Sequence, residues 1–434
     1  MNKQILSLTV ILSLCATVVA GQSKDQGVRL RVNQDRIEKR IMELATYGRD
    51  EKGHGYRVAF TKGDQEGRAW YMDQLRNAGL EVSVDYAGNI IARRPGSDLS
   101  LMPIAFGSHI DMVPDGGNYD GCVGSISALE VVEVLKENKL VTRHPLQIMI
   151  FSNEEGGTVG SSALAGHLTK DDLQTRSQSG LTMAEGIKAI GGDPEKIDEV
   201  KGRKGDLAAF LELHIEQGGF LEQDHVQIGV VEGIVGIGHW DVVFEGFANH
   251  AGTTPMHGRK DALLAAARFV IAVNEVVNSH DGRQVGTVGR IQAEPGAPNV
   301  IPGKVTASLE LRDLSNEKIE MLYTEIKKRA DTIAAGSGVK ISFSRSISIK
   351  PALTNEGIKS QIIESARTLG LSYQNMPSGA GHDSQEIAAF APVGMIFVPS
   401  RGGISHSPDE FTSAIDMANG ANVLLQTILA IDNK

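Results

Sequence analysis

Short apolar runs alternate with helical patterns along most of the chain. Apolar runs that read as buried strands occupy residues 102–106, 146–151, 210–215 and 395–399. Helical repeats of apolar positions lie at 122–136 and 358–369, and another follows Ser413. Strands that alternate with helices are typical of an α/β fold with a largely parallel sheet. Because functional loops of such folds lie at the carboxyl ends of the strands, we expect the site there.

The order of elements changes between residues 233 and 350. The pattern there predicts strand, helix, strand, strand, helix and strand, at residues 239–247, 261–277, 284–293, 304–312, 316–335 and 339–349. This β-α-β-β-α-β order is that of ferredoxin-like domains. We therefore predict a small α+β domain at 233–350, inserted into an α/β domain formed by residues 27–232 and 351–434.

The first twenty residues have the pattern of a secretory signal. Lys3 precedes an apolar run from Ile5 to Val19, and Ala20 ends a small-residue cleavage site. The run is shorter than the ~20 residues that a membrane anchor needs. Lipid anchoring through Cys15 is not expected, because Leu14 stands where a small residue would be required. We predict a secreted or periplasmic protein, with no later segment apolar for long enough to span a membrane.

Composition narrows the class of protein further. The chain has 434 residues and a formal net charge of -10. This charge argues against nucleic acid as the main partner, because phosphate binding needs clustered Lys and Arg. Only Cys122 lies after the predicted cleavage site, which excludes a disulfide framework. A single cysteine suits an oxidising compartment, since it has no partner for wrong pairing.

Imidazoles and carboxylates cluster at the ends of three predicted strands. In chain order they are His109, Asp111 and Asp120, then Glu154 and Glu155, then His214 and Glu216. Any one of these residues alone would more often be solvated or satisfied in the core. Three groups that meet at one edge of a parallel sheet offer the ligands that zinc and similar metals prefer. Adjacent carboxylates point in different directions, so one of Glu154 and Glu155 can bind metal while the other faces the attacking water.

Motifs over nearly all of the chain after residue 20 resemble one family of zinc-dependent amidases. This family contains N-carbamoyl-L-amino acid hydrolases, β-ureidopropionases and allantoate amidohydrolases, and it is related to the di-zinc aminoacylases and carboxypeptidases. The similar segments are GSHID at 107–111, NEEG at 153–156, LHIEQG at 213–218, HAGTTPM at 250–256, GAPNVIPG at 296–303, SGAGHD at 378–383 and GISHSP at 403–408. The resemblance implies a di-zinc exopeptidase-like catalytic domain with an inserted ferredoxin-like domain that serves as lid and dimerisation surface.

The resemblance also implies a set of metal ligands. It implies two zinc ions, with manganese, cobalt or nickel as possible replacements. The implied ligands are His109 and His214 for one ion, Glu155 and His406 for the other, and Asp120 as the bridge. Asp111 would hold the second nitrogen of the His109 ring, and Glu154 would be the general base. Whether the Asp120–Gly121 peptide bond is cis, as the corresponding bond often is in such enzymes, stays open at the level of sequence.

Substrate contacts are implied in the same way. Arg312 is similar to the carboxylate-binding arginine of the family, and its forked donors suit bidentate capture. Asn299 and Gln217 would add hydrogen bonds, and His382 would line the site. His250 would stabilise the oxyanion, reaching it from the other subunit of a homodimer. Considered without the resemblance, Arg312 reads as a strand-edge ion pair, and His250 and Asn299 read as turn residues.

These residues predict a substrate that has both a carboxylate and a ureido group. Hydrolysis of the ureido group would release ammonia and carbon dioxide. Three alternatives stay open: allantoate as the substrate, an aminoacylase or dipeptidase that cleaves an ordinary amide, and a non-catalytic binding protein. The last would be expected to lack a ligand or the base, and all six positions are present. After Gly156, relatives usually carry an Arg-Phe pair and a longer stretch, whereas here Gly157, Thr158 and Val159 lead straight to the next segment. This shortened loop bears on which substrate is accepted.

Overall fold

The structure is a computed structural model that describes residues 30–433. The predicted signal peptide at residues 1–20 lies outside the described residues. Within the described part the chain forms sixteen strands: β1 (Glu81–Val84), β2 (Ile90–Arg94), β3 (Ile104–His109), β4 (Leu146–Phe151), β5 (Ala209–Ile215), β6 (Ile228–Ile234), β7 (Gly236–Glu245), β8 (Asn249–His250), β9 (Val285–Thr287), β10 (Ile291–Glu294), β11 (Val300–Ile301), β12 (Lys304–Asp313), β13 (Lys340–Ile349), β14 (Ala352–Leu353), β15 (Tyr373–Ser378) and β16 (Val393–Val398).

Eleven α-helices accompany these strands within residues 30–433. They are α1 (Gln34–Leu44), α2 (Lys62–Asn77), α3 (Cys122–Glu137), α4 (Val159–Ala165), α5 (Met183–Ala189), α6 (Phe220–Gln223), α7 (Ala262–Asn278), α8 (Asn316–Ser337), α9 (Glu356–Leu369), α10 (Asp383–Ile387) and α11 (Ala414–Asp432). Six of the seven described helices with more than ten residues begin at a residue whose side chain accepts a backbone amide of the first turn, and α3, which follows Gly121, is the exception. The Asp261 carboxylate, for example, accepts the first amides of α7, and the Ser413 hydroxyl accepts the Asp416 amide in α11. Such caps satisfy backbone donors that have no partner inside the helix.

Nine strands form one mixed sheet in the order β1, β2, β4, β3, β5, β16, β6 and β14, with β15 paired to β6. The four central strands β4, β3, β5 and β16 are parallel, and all their residues are buried. Burial on both faces is what helices on both sides of a parallel sheet impose. The predicted parallel sheet is therefore confirmed for these strands. Both outer parts of the sheet contain antiparallel pairs.

The expectation that no later segment is long and apolar enough to span a membrane does not hold for helix α11. By length and composition it could cross a membrane, so the expectation that no segment after residue 20 is apolar for long enough is wrong. In this fold 56% of its most apolar window is buried inside the protein. Leu425 and Ile428 of this helix lie in the main core together with Ile126 and Leu129 of α3. Its apolar character is thus accounted for by packing against α3 and the sheet.

A second sheet of five strands lies within residues 236–349. Its order is β10, β12, β7 and β13, with β9 also paired to β12, and all its pairs are antiparallel. Buried and less buried residues alternate along β7, because α7 and α8 cover one face only. Trp240, Phe244, Phe269 and Leu322 belong to the separate core between helices and sheet. The predicted β-α-β-β-α-β order is observed here, while the domain boundaries themselves stay a prediction.

The single strand predicted at 284–293 is in fact two strands, β9 and β10. Between them the Arg290 amide donates to the Ser308 hydroxyl at 3.0 Å, and the Arg290 carbonyl accepts from the Ser308 amide at 3.1 Å. On β12 the Ser308 hydroxyl thus takes the place of the backbone carbonyl that would accept the Arg290 amide in a regular β-ladder. Local side-chain bonds of this kind compete with sheet pairing, and the apolar pattern does not reveal them.

Candidate metal centre

The carboxyl ends of the four central strands all lead to predicted site residues. His109 ends β3, Glu154 and Glu155 follow β4, His214 lies near the end of β5, and His406 lies in the loop after β16. Parallel strands present these ends at one edge of the sheet. The structure therefore brings the predicted residues together as the alternating pattern implied.

One group consists of His109, His214 and Asp120, all buried. The Asp120 Oδ1 atom lies 3.0 Å from His214 Nε2 and 3.6 Å from His109 Nε2. The other ring nitrogen of each histidine contacts a backbone carbonyl: His109 Nδ1 is 3.1 Å from Asp111 O, and His214 Nδ1 is 2.9 Å from Ile215 O. A carbonyl can only accept, so in the neutral rings the proton is assigned to Nδ1 and a lone pair on Nε2 points towards Asp120.

A second group consists of Asp120, Glu155 and His406. His406 Nε2 lies 3.2 Å from Asp120 Oδ2 and 3.3 Å from Glu155 Oε2. The two oxygens of Asp120 are thus divided between the two groups. Asp120 is the one residue that both contain, which is the arrangement expected of a bridging ligand.

The donor set fits divalent metal ions. In the first group the Nε2 atoms of His109 and His214, which are acceptors in the neutral tautomer, face Asp120 Oδ1 at 3.6 and 3.0 Å. In the second group the oxygens of Asp120 and Glu155 converge on His406 Nε2 at 3.2 and 3.3 Å. Acceptors that converge in this way need either protons or a cation between them. Imidazole and carboxylate together suit zinc and neighbouring transition metals. A dication would also favour the ionised form of each carboxylate.

The turn after Asp120 places its carboxylate. The Asp120–Gly121 bond, whose isomer the sequence left open, is trans. The chain reverses instead at Gly121, which has φ 62° and ψ -38°, and the Cys122 amide donates to Asp120 O at 2.6 Å. This i to i+2 bond closes a γ-turn of the rarer type, whose central residue has positive φ. A side chain at position 121 would also overlap the His109 ring, so only glycine fits.

Asp111 acts differently from the expectation. Its backbone carbonyl, and not its carboxylate, contacts His109 Nδ1, from which the nearest carboxylate oxygen is 3.7 Å away. The carboxylate accepts the backbone amides of Glu154 and Glu155 instead, at 3.3 and 3.2 Å. The reason is geometric, because the turn that follows β3 brings the carbonyl to the ring. Asp111 therefore connects the His109 loop to the Glu154 loop.

Burial and mutual charge set the protonation of this cluster in the absence of metal. Burial alone would raise the pKa of Asp120, but hydrogen bonds from three imidazoles, which in their protonated form carry N–H on both nitrogens, hold it well below its usual value. Burial raises the pKa of Glu154 well above its usual value and that of Glu155 to about 7. The hydrogen bond to Asp120 raises the pKa of His406 to about 9. Strongly perturbed groups that share one edge of a sheet are typical of functional sites.

Glu154 lies beside the first group. Its side chain is 9% exposed, and its Oε2 atom is 3.7 Å from His109 Nε2. Unlike the implied ligand Glu155, it lies outside both groups of converging ligand atoms. The adjacent carboxylates thus point to different neighbours, as their sequence position predicted.

Three of the predicted substrate residues border the cluster or its loops. Gln217 Nε2 donates to Asp120 Oδ2 at 2.7 Å, and among the described residues its Oε1 is buried without a hydrogen-bond partner. His382 is buried edge to face against the His214 ring, with 4.5 Å between centroids, and its Nε2 contacts Ser378 Oγ at 2.8 Å. Arg312 reaches from β12 to the loop before α10, where it donates to Gly379 O at 2.7 Å.

The other two predicted residues lie apart from this buried cluster. His250 and Asn299 are exposed, on and beside the small sheet that β8 and β11 form. The His250 Nδ1 atom accepts the amides of Gly252 and Thr253 at 3.0 and 3.2 Å. Its ring proton is therefore assigned to Nε2, which leaves that atom free to donate outward.

Sequence reasoning missed Glu410. This buried carboxylate accepts the amides of Tyr119 and Asp120 through one oxygen and contacts the His406 loop through the other. It lies two residues beyond the GISHSP segment, so its acidic side chain close to His406 was the one available signal. Nothing local indicated that it reaches the Asp120 loop, 290 residues away in sequence.

Comparison with known proteins identifies the family to which this chain belongs. Residues 105–430 match Peptidase family M20/M25/M40, and this chain belongs to that family. The structure is similar to a crystal structure of an amidase of the hydantoinase/carbamoylase family from Burkholderia multivorans. The TM-score is 0.87 at 34% identity, over 93% of this chain and 99% of that one.

The branch within the family follows from sequence relatives. An N-carbamoyl-L-amino acid amidohydrolase of Geobacillus stearothermophilus is 38% identical over 402 residues, which cover 92% of this chain and 98% of that protein. A ureidoglycolate hydrolase of Arabidopsis thaliana is 36% identical over 412 residues, covering 92% of this chain and 87% of that protein. The resemblance to the amidase branch is thereby confirmed.

Proposed function

We propose that this protein hydrolyses the ureido C–N bond of an N-carbamoyl amino acid or a related ureido acid. The observation that carries the proposal is a pair of ligand groups that share Asp120, with the carboxylate of Glu154 beside them. Membership of the amidohydrolase branch supports the same chemistry. The products would be the free amine, ammonia and carbon dioxide.

The reaction needs a base, a donor to the oxyanion and exclusion of bulk water. Two divalent metal ions, zinc foremost, would supply Lewis-acid polarisation and an acidified water when bound. Glu154 takes a proton from the attacking water and returns it to the leaving nitrogen. His250, with its proton on Nε2, stabilises the oxyanion from the partner subunit of a homodimer.

The substrate would be oriented by residues where the five-stranded sheet contacts the catalytic domain, at Arg312 and Gly379. Arg312 extends from the five-stranded sheet to Gly379, in the loop that leads to His382. A substrate carboxylate at the guanidinium would place the other end of the molecule towards His214, which packs against His382. Gln217, whose buried Oε1 needs a donor, offers a hydrogen bond to the ureido nitrogen. Asn299 is proposed as a further contact from the small sheet.

The substrate class is tested with metal-loaded protein and a panel of compounds assayed for ammonia. The panel contains N-carbamoyl-L-amino acids, β-ureidopropionate and allantoate, with matching N-acetyl amino acids assayed for the free amine. We expect turnover of at least one ureido acid. Cleavage of the acetyl compounds alone would replace the proposal by an aminoacylase, and turnover of none would contradict catalysis on either bond.

We also propose export of the protein after removal of residues 1–20. The pattern of Lys3, the apolar run and the small-residue site supports it. The test is the amino-terminal sequence of protein purified from the cell envelope or the medium. A chain that retains Met1 and remains in the cytoplasm would contradict export.

Arg312→Lys is expected to raise KM for the ureido acid by about 10- to 100-fold, with a smaller effect on kcat. The reason is that lysine keeps the charge but loses the fork that binds both carboxylate oxygens. Steady-state kinetics measures both constants. The matched control is Arg290→Lys, which changes an arginine paired with Asp241 on the same sheet. An unchanged KM in the Arg312 variant would return this residue to the role of a strand-edge ion pair with Glu310.

A further inference from the structure

The buried Glu410 carboxylate joins two loops of the candidate metal centre. It is 4% exposed and lies between β16 and α11. One oxygen accepts the amides of Tyr119 and Asp120 at 2.9 and 3.1 Å. The other accepts the Ser405 hydroxyl at 2.9 Å and the His406 amide at 3.3 Å. An ionised carboxylate can accept all four bonds at once, whereas an amide has one acceptor oxygen only.

Each loop carries a residue of the second ligand group. Asp120 lies in the loop before α3, and His406 lies in the loop after β16. His406 has φ 53°, a left-handed backbone that is unfavourable for a residue with a side chain. The bond from its own amide to Glu410 helps to hold this conformation. In the first group, by contrast, His109 and His214 lie on β3 and β5, whose strand pairing positions them.

The residues around Glu410 leave space for its carboxylate and pack against the residue next to it. At Gly117 an added side chain would overlap the Glu410 carboxylate, so the glycine makes the approach possible. The next residue, Phe411, packs edge to face on Tyr119 with 5.5 Å between ring centroids. The Arg401 guanidinium lies over the Phe411 ring, 4.3 Å from its centroid. These contacts anchor the backbone next to the carboxylate on both loops.

We infer that Glu410 is a positioning residue that holds Asp120 and His406 in register for the second metal ion. The inference rests on the proposed metal centre. Glu410 fixes the distance between the two loops before an ion arrives, so the ion does not have to order them. Removing the carboxylate should therefore weaken the site of Asp120, Glu155 and His406 more than the site of His109 and His214.

The test is metal binding to metal-free protein, measured by competition with a chromophoric chelator. Glu410→Gln is expected to lose about 10- to 100-fold in affinity for the zinc ion of the second group, the range found for residues that orient metal ligands. The affinity for the other ion should fall less, because that ion shares only Asp120 with the loops that Glu410 holds. KM should change less than kcat, because Gln217 is the one proposed substrate residue that bonds to the two loops that Glu410 holds. Glu410→Asp, which keeps both oxygens, should recover part of the affinity.

Two further variants separate positioning from simple stability. Glu130→Gln is the matched control, because Glu130 is a fully buried carboxylate in α3 that pairs with Arg36 and not with the metal ligands. It should lower the melting temperature and leave both zinc affinities intact. Gly117→Ala displaces Glu410 without altering its charge and should repeat the loss seen in Glu410→Gln.

The outcomes distinguish this inference from the proposed function. A parent protein that binds fewer than two ions and hydrolyses no ureido acid would contradict the proposed function itself. If the parent binds two ions and is active, unchanged zinc affinities in both Glu410→Gln and Gly117→Ala would overturn the positioning role alone. So would unfolding of both variants where Glu130→Gln stays folded, since the carboxylate would then serve the fold and not the site.

Discussion

Replacement of Glu154 by Gln is expected to lower kcat by about a thousandfold or more while metal content stays at the parent level. Glutamine has nearly the same shape, but it cannot take the proton of the attacking water, and general-base catalysis is worth about 10²–10⁴. Metal should remain because Glu154 lies beside the ligand groups and in neither of them. The measurements are kcat on the best ureido substrate and metal content by mass spectrometry after dialysis.

Glu195→Gln is the control for this variant, because Glu195 is an exposed acid far along the chain from the ligand residues. It should retain parent activity. Near-normal turnover by Glu154→Gln would refute the assignment of the base. Loss of metal together with activity would instead make Glu154 a ligand.

Replacement of Asp120 by Asn is expected to release metal from both groups and to reduce activity to background. Asp120 is the one residue that both groups share, so its charge is lost to both ions at once. Its two oxygens face His109 and His214 on one side and His406 on the other, and asparagine offers one oxygen in place of two. Metal content of the dialysed protein tests this directly.

The control for that change is Asp73→Asn, which removes an exposed carboxylate that pairs with Arg76 and belongs to no candidate metal group among the described residues. It should leave metal content and activity unchanged. Retention of one full equivalent of metal by Asp120→Asn would show that the two groups are independent. Retention of two would contradict the bridging role.

Regular elements and strand ends could be predicted because their causes are local. Strand β4 has the predicted bounds, and the helices after Gly121 and Ser413 begin where their apolar repeats indicated. The position of His109, Glu155 and His214 followed from the rule that parallel strands end at one edge. Those residues could therefore be expected to meet before any coordinates were known.

The contacts that were not predicted depend on how distant segments meet. One oxygen of Glu410 accepts the amides of Tyr119 and Asp120, which lie 291 and 290 residues away in sequence, and no periodicity encodes that separation. Whether the carbonyl or the carboxylate of Asp111 would face His109 depended on a turn geometry that the residue types alone do not determine. The same holds for Asp120–Gly121, where a γ-turn at Gly121 provides the reversal that a cis bond would otherwise supply.

The order of strands in the large sheet has a consequence for how the protein is made. Strand β16 lies between β5 and β6, although it follows them by more than 150 residues. A growing chain therefore carries β5 and β6 with unpaired edges until the five-stranded sheet and the segment beyond it have been synthesised. Open strand edges invite association with other chains. We expect the chain to depend on chaperones during this interval, and metal loading to be complete only after its last fifty residues have emerged.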